Sequence, residues 1–334
     1  MPTLSSTWSH FFPPNPAFTE RDLPDLQGKV YIVTGANTGI GKEVARFLYT
    51  KNAKVYVGAR SEEKARKAID DIQKAAPEST GSLIFLYIDQ ADLTTVKAAA
   101  QTFLAQEQTL HCLFNNAGVK VGDTRPPPTT VQGYELSIGV NCVAAFLFTK
   151  LLTPVLAATA ASQPANTVRV VWLSSFAMEI HAQKAIGIST DNLDFHQPAS
   201  ADYRYSISKA GVWALGVEYA RRHEADGIVS VPINPGNGKS ELFRNSSAII
   251  KLVAALLGTS PVKCAYTELY AAFSSDVAIG KADWSLSWVA PWGRVYPLRE
   301  DLTRATVPEA EGGTGGTAKF WEWNEEQAKA YLAE

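Results

Sequence analysis

Tyr205 and Lys209 stand four residues apart in the segment YSISK, a spacing that places both on one face of a helix. An ammonium beside a phenol favours the phenolate, and so moves a proton of ordinary pKa about 10 closer to neutrality. Such a group can give a proton to a carbonyl oxygen or take one from an alcohol. Alone, the pair is a weak signal, because the same spacing arises wherever a helix packs a tyrosine and solvates a lysine. Here it has company. Asn141, Ser174, Ser175, the run Asn115-Asn116-Ala117-Gly118 and Pro235-Gly236 all fall at the expected carboxyl end of a strand or on an adjoining helix. Ligands bind at that edge of open α/β sheets.

A second chemistry belongs to Thr34-Gly35-Ala36-Asn37-Thr38-Gly39-Ile40-Gly41. This run sits between an apolar strand and a helix. Glycine permits positive φ and lets a phosphate approach the backbone, while the helix start aims free N–H groups at the anion. Placed in the first βα unit, the turn is expected to hold a dinucleotide pyrophosphate, with Gly35, Asn37, Thr38, Gly39, Ile40 and Gly41 as its contacts. The second strand ends in Ala59, where a carboxylate would otherwise read the ribose hydroxyls. Arg60 follows, and Lys64 lies one helical turn on. A guanidinium there suits a 2′-phosphate, so NADP(H) is expected over NAD(H).

The elements that must carry these residues read as an alternation. Strands are expected at 29–34, 53–59, 83–88, 111–115, 167–174, 229–233 and 286–290. Helices are expected at 42–51, 62–75, 93–106, 133–159, 205–223, 261–275 and 321–332. Alternating apolar strands and helices imply an α/β fold: a Rossmann doubly wound, seven-stranded parallel sheet with helices on both faces. Residues 1–27 read as a proline-bearing N-terminal extension, 28–280 as one domain, and 281–334 as a strand and helix packing on it. No repeat of fixed period occurs.

The chain has 334 residues, of which 46% are hydrophobic and 19% charged. That is globular composition, long enough to bury a core without disulfides. Lys plus Arg number 31 and Asp plus Glu 33, a net charge of −2, so no nucleic-acid partner is expected. Cys112, Cys142 and Cys264 lack metal or disulfide spacing, which points to a reducing, cytoplasmic setting without a metal site. No signal peptide is evident, and the most apolar window, 140–161, contains Asn141, Lys150 and Pro154. It reads as a core helix rather than an integral membrane segment.

TGANTGIG, NNAG, Asn141, the serines at 174 and 175, YSISK and NPG, in that order, closely resemble the classical short-chain dehydrogenase/reductase family over about residues 27–280. The resemblance implies an oxidoreductase with a nicotinamide cofactor and a catalytic tetrad of Asn141, Ser175, Tyr205 and Lys209. In those terms Tyr205 exchanges the proton, and Lys209 lowers its pKa and meets the nicotinamide ribose. Ser175 polarises the carbonyl, and Asn141 holds a water leading from Lys209 to solvent. Ser174 supports Ser175. Asp89 would meet the adenine, Asn116, Ala117 and Gly118 the adenosine ribose, and Pro235, Gly236, Gly238 and Ser240 the nicotinamide. The family commonly has PGxVxT where this chain has PGNGKS, so the contact of the usual Val is in doubt.

The long stretch between Ser175 and Tyr205, with DNLDF at 191–195, resembles the retinol-dehydrogenase-like subset. FFPPNP, VAPWGRV and KFWEWNEEQ resemble fungal members. Trp321 and Trp323 are expected to anchor the tail helix rather than line a substrate site. His181 and His196 read as ordinary loop histidines. Residues 240–260 read as a substrate lid. Its apolar part, 246–257, is also compatible with a partner or membrane surface. Phe176, Met178 and Trp213 are weak pocket candidates. The expected substrate is a lipophilic or secondary-metabolite ketone, aldehyde or alcohol, and a homodimer through the helices carrying Asn141 and Tyr205 is open. Two other readings remain: a non-catalytic nucleotide-binding scaffold or sensor, and an enzyme of this fold doing other chemistry, such as imine reduction or isomerisation.

Overall fold

Short apolar runs make the central sheet. β1 (Val30–Thr34), β5 (Arg169–Leu173) and β6 (Val229–Ile233) are buried along their whole length, as parallel strands covered on both faces must be. With β2 (Lys54–Ala59), β3 (Ser82–Tyr87), β4 (Cys112–Asn115) and β7 (Ser287–Ala290) they form seven parallel strands in the order β3-β2-β1-β4-β5-β6-β7. The computed structural model describes residues 2–124, 126–238 and 258–332.

An eighth strand, β8 (Arg294–Pro297), pairs antiparallel with β7. The expected seven-stranded sheet therefore has eight strands. β8 escapes the sequence pattern because it has four residues, none fully buried, and ends in a proline. Proline lacks the donor a ladder needs and weakens the strand signal of so short a run. The turn into β8 places Trp292 and Gly293 at positive φ.

The chain is doubly wound. α2 (Gly39–Thr50), α3 (Glu62–Ala75) and α8 (Pro261–Phe273) cover one face of the sheet. α4 (Leu93–Leu104), α5 (Leu136–Ser162), α7 (Ala201–His223) and α9 (Gly316–Leu332) cover the other. Outside that plan lie α1 (Leu4–Phe11), in the stretch expected to be an extension, and the short α6 (Ala177–His181) after β5, among others.

α5 is long and apolar enough to cross a membrane, yet here it is a core helix, with Phe146, Leu147 and Phe148 buried. Its first turns widen to π-helical spacing over Gly139–Ala144. Such bulges re-aim one side chain and recur at functional sites; here it carries Asn141. α9 lies across α5 and α7. Trp321 is fully buried and meets Phe146 at 4.9 Å and Tyr219 at 6.2 Å, while Trp323 stacks on Phe320 at 5.8 Å. Burying an aromatic ring fully contributes roughly 2–3 kcal/mol, so the tail is part of the core and both tryptophans are anchors.

Candidate active site

The strands point their carboxyl ends into one cavity of about 630 Å³. At one end lies the start of α2. Its N-cap, Thr38, makes no side-chain cap hydrogen bond, and the first turn holds no acidic residue. The N–H groups that every helix leaves unpaired there remain available to an anion. Gly35 has φ 68°, and a Cβ on it would stand 3.0 Å from Ala117 Cα, so only glycine fits. Thr34 ties the neighbouring strand ends together: its hydroxyl accepts from Ala117 N at 3.0 Å, and its carbonyl accepts from Asn116 Nδ2 at 2.7 Å.

Gly35, Asn37, Thr38, Gly39, Ile40, Arg60, Lys64, Asp89, Asn116, Ala117, Gly118, Pro235, Gly236 and Gly238 all line this cavity. Gly41 does not. A Cβ there would collide with Asn116 Nδ2, so Gly41 lets α2 approach the β4 loop. Ser240 and residues 240–257 of the lid expected at 240–260 lie outside the described residues. Glu62, the nearest carboxylate after Arg60, is turned to Arg66 at 2.6 Å. Asp89 accepts from Ala91 N at 3.0 Å, while Asp92 caps α4.

A Cβ on Gly238 would stand 3.1 Å from Cys264 Sγ. The space that a larger residue would fill in this turn is therefore partly taken by a thiol from α8.

Ser175, Tyr205 and Lys209 line the middle of the cavity. The Tyr205 phenol is hydrogen-bonded with Ser175. Burial pushes the phenol up to about 12, and that bond offsets part of the rise. Burial also pulls Lys209 down to about 8, against the opposing pulls of Cys142 and then Glu268. The expectation that Lys209 lowers the Tyr205 pKa is not met in this geometry. Its ammonium lies 5.8 Å from the Tyr205 ring centre and donates to Leu173 O at 2.6 Å, so the Ser175 bond alone offsets the desolvation of the phenol. Ser174 turns inward and donates to Lys209 O at 2.7 Å.

Asn141 lies behind the wall. Its Oδ1 accepts from Val119 N at 2.8 Å, and its Nδ2 donates to Val119 O at 3.1 Å and Ser208 Oγ at 2.8 Å. It thus fixes the Val119 loop beside Lys209. A Cβ on Gly118 would stand 3.1 Å from Lys209 Nζ and 3.3 Å from Asn141 Oδ1.

The far end of the cavity holds residues that the sequence reading missed. Phe11, Lys120, Ile180 and Asp202 line it. Lys120 pairs with Asp202 at 2.6 Å and sets a second ammonium 5.7 Å from the Tyr205 ring centre. Its signal was its place directly after NNAG and Val119. His181 corrects its reading as a loop histidine: it ends α6, lines the wall and bonds Ser206 Oγ through Nδ1 at 3.0 Å. His196 is exposed and pairs with Asp194 at 2.6 Å. Of the pocket candidates, Phe176 is on the wall, whereas Met178 and Trp213 are core. Glu268 of α8 is fully buried with both carboxylate oxygens unpartnered among the described residues, and burial raises it to about 8.

A profile of the short chain dehydrogenase family matches residues 29–184. A short-chain dehydrogenase/reductase of Neocamarosporium betae is 49% identical, covering 98% of this chain and 94% of the relative. One from Phomopsis amygdali is 48% identical over 99% and 98%. Among solved structures, a protein from Mycobacterium paratuberculosis shares the fold, with a TM-score of 0.64 at 24% identity, over 93% of this chain and 97% of its own.

Proposed function

Because the chain belongs to the short-chain dehydrogenase/reductase family, we propose that this oxidoreductase is NADP(H)-dependent and reduces the carbonyl, or oxidises the matching alcohol, of a lipophilic or secondary-metabolite substrate. The observation that carries this is the continuity of one cavity, from the uncapped start of α2 to the Tyr205–Ser175 pair. The residues present fit a dinucleotide. Gly35 and Gly118 leave backbone room that a Cβ would fill, and the α2 turn supplies anion donors without acidic competition. NADP(H) over NAD(H) rests on Arg60 and Lys64 at the wall and on Glu62 being turned away.

Bound there, the nicotinamide supplies the hydride. The chain's own residues handle the oxygen and the proton. Tyr205 holds its proton on Oη far above neutral pH, ready to pass it to a carbonyl oxygen as alkoxide character develops. Ser175, already bonded to that phenol, is placed to donate to the same oxygen. Lys209 brings a buried positive charge beside them, and Asn141 keeps the loop against Lys209 in place.

The substrate end supports an apolar partner, since Phe11, Phe176 and Ile180 line it. The faces of α5 and α7 on which a homodimer was open are occupied by α9. The three cysteines are free and buried, in keeping with a reducing cytoplasm. The test is to titrate the purified chain with NADPH and NADH and then to follow NADPH oxidation with aromatic and aliphatic ketones. Tight NADPH binding with turnover is expected. Binding without turnover of any carbonyl would favour the scaffold reading.

A further inference from the structure

The substrate end contains a side chain from far outside the sheet unit. Phe11 lines the cavity, and its ring meets that of Phe176, also on the wall, at 5.6 Å and 86°. The helix that carries it is seated in an unusual way. Leu4, Trp8 and Phe12 are 91%, 65% and 55% exposed, whereas His10 is 3% exposed. A helix docked to bury apolar surface would show the reverse.

The seat is instead polar and directional. Arg294 of β8 donates through Nη1 to Ser9 Oγ at 2.6 Å and through Nη2 to Ser9 O. His10 donates through Nδ1 to Ser6 O at 2.8 Å. Its ring lies 4.9 Å from Phe176, 5.6 Å from Trp288 and 4.8 Å from Tyr296. The Arg294 guanidinium lies 5.1 Å over Tyr296. Charge-assisted, two-pronged clamps of this kind fix orientation as well as adding energy. What they orient is the next residue, Phe11.

We propose that Phe11 is a specificity-determining residue: clamped by β8, α1 sets Phe11 against Phe176 as an aromatic corner that takes a planar ring system of the substrate. Two rings near a right angle accept a third that lies along one and meets the other edge-on, the favoured aromatic geometries. Phe176 directly follows Ser175, so the ring would sit next to the reacting carbonyl. The substrate class is thus an aryl ketone, aryl aldehyde or aryl carbinol rather than a flexible aliphatic one. This rests on the cavity being the substrate site of the proposed oxidoreductase.

The test uses the full chain with NADP+ bound and titrates methyl naphthyl ketone by calorimetry, with butanone as the small control. Phe11→Ala should weaken naphthyl ketone binding about tenfold, the scale of one lost aromatic contact with its buried area. Arg294→Met, which frees α1, should weaken it similarly. Phe12→Ala, on the exposed side, should change it by less than about twofold, as should all three for NADPH. The proposal is overturned if the parent does not bind the naphthyl ketone, if Phe11→Ala binds it equally, or if NADPH affinity falls in parallel. NADPH oxidation separates the two readings. Turnover of butanone without Phe11-dependent ring binding sinks the aromatic corner alone. Phe11-dependent ring binding without turnover sinks the oxidoreductase reading and leaves the corner.

Discussion

The two ends of the cavity are positioned by different means. At the anion end, Gly35, Arg60, Asp89 and Asn116 each stand within two residues of the carboxyl end of β1, β2, β3 or β4. Strand register places them. At the substrate end, Phe11, Ile180, His181 and Asp202 come from α1, α6 and the start of α7. No strand places them. Arginine clamps do: Arg294 holds α1, and Arg299 donates to Glu179 O at 2.6 Å and Ala182 O at 2.8 Å, holding α6. Strand ends cannot move without rearranging the sheet. A side-chain clamp can be changed while the sheet stays put, so the substrate end is free to vary on a fixed cofactor platform.

Tyr205 lies where the two ends meet, and its loss should give the largest effect. Tyr205→Phe keeps the ring and removes the proton, so turnover should fall about 10³-fold, the scale of a lost general acid. NADPH affinity should stay within about twofold. Single-turnover NADPH oxidation and direct titration measure the two separately. A variant that loses both would show that the ends are not separable. Next in size, Arg60→Ala should weaken NADPH about 10–100-fold, the worth of a charge-assisted hydrogen bond, and leave NADH unchanged. Equal losses for both cofactors would remove the phosphate role.

How far the site could be read from sequence follows the same division. The glycine turn, Arg60 and NNAG were legible because each lies next to an apolar run whose period announces a strand. Tyr205 and Lys209 were legible because helical spacing relates them. α1 was not, although Leu4, Trp8, Phe11 and Phe12 carry helical spacing, because prolines at 13, 14 and 16 mark the region as extended. β8 was not, because RVYP reads as a proline-ended loop. These two missed elements pack on each other, through Arg294 and Tyr296 against Ser9 and His10. That contact joins residues 285 positions apart, which no local pattern carries. Gly41 shows a constraint that its place in the motif did not: a Cβ there would meet Asn116 across the turn.

The clamp on α1 contains an ionisable group, which gives a third, smaller way to part the two ends. Burial lowers His10 from 6.5 to about 4, the Ser6 backbone bond opposing and Arg294 adding to the shift. The seated helix therefore prefers neutral His10. Its contribution is complete above pH 6.5 and is lost as pH falls from there through about 4. Hydrogen exchange of residues 2–12, corrected for intrinsic rates, should speed up several-fold between pH 7.5 and 5. Exchange across residues 34–41, clear of the bond from Val30 to His111, should hold steady. His111, also lowered to about 4, accepts from Val30 N inside the sheet, so a global melting curve would mix the two, and the local readout is needed. Parallel loosening of both segments would contradict independent positioning.

The smallest effect concerns a charge that reaches the site from the opposite face of the sheet. Glu268 on α8 and Lys209 on α7 act on each other electrostatically. Burial disfavours both charges, raising Glu268 to about 8 and lowering Lys209 to about 8, and each partner opposes the other's shift. As pH rises through that range, Glu268 ionises and helps Lys209 keep its proton. The alkaline limb of the kcat/KM profile should therefore track Lys209. Glu268→Gln removes the supporting charge and keeps the shape. Lys209 would then deprotonate earlier, and the limb should move about half a pH unit toward neutrality, with little change at pH 6. A limb that stays in place would mean that the alkaline loss belongs to another group, and that the α8 face supports the cofactor platform by packing alone.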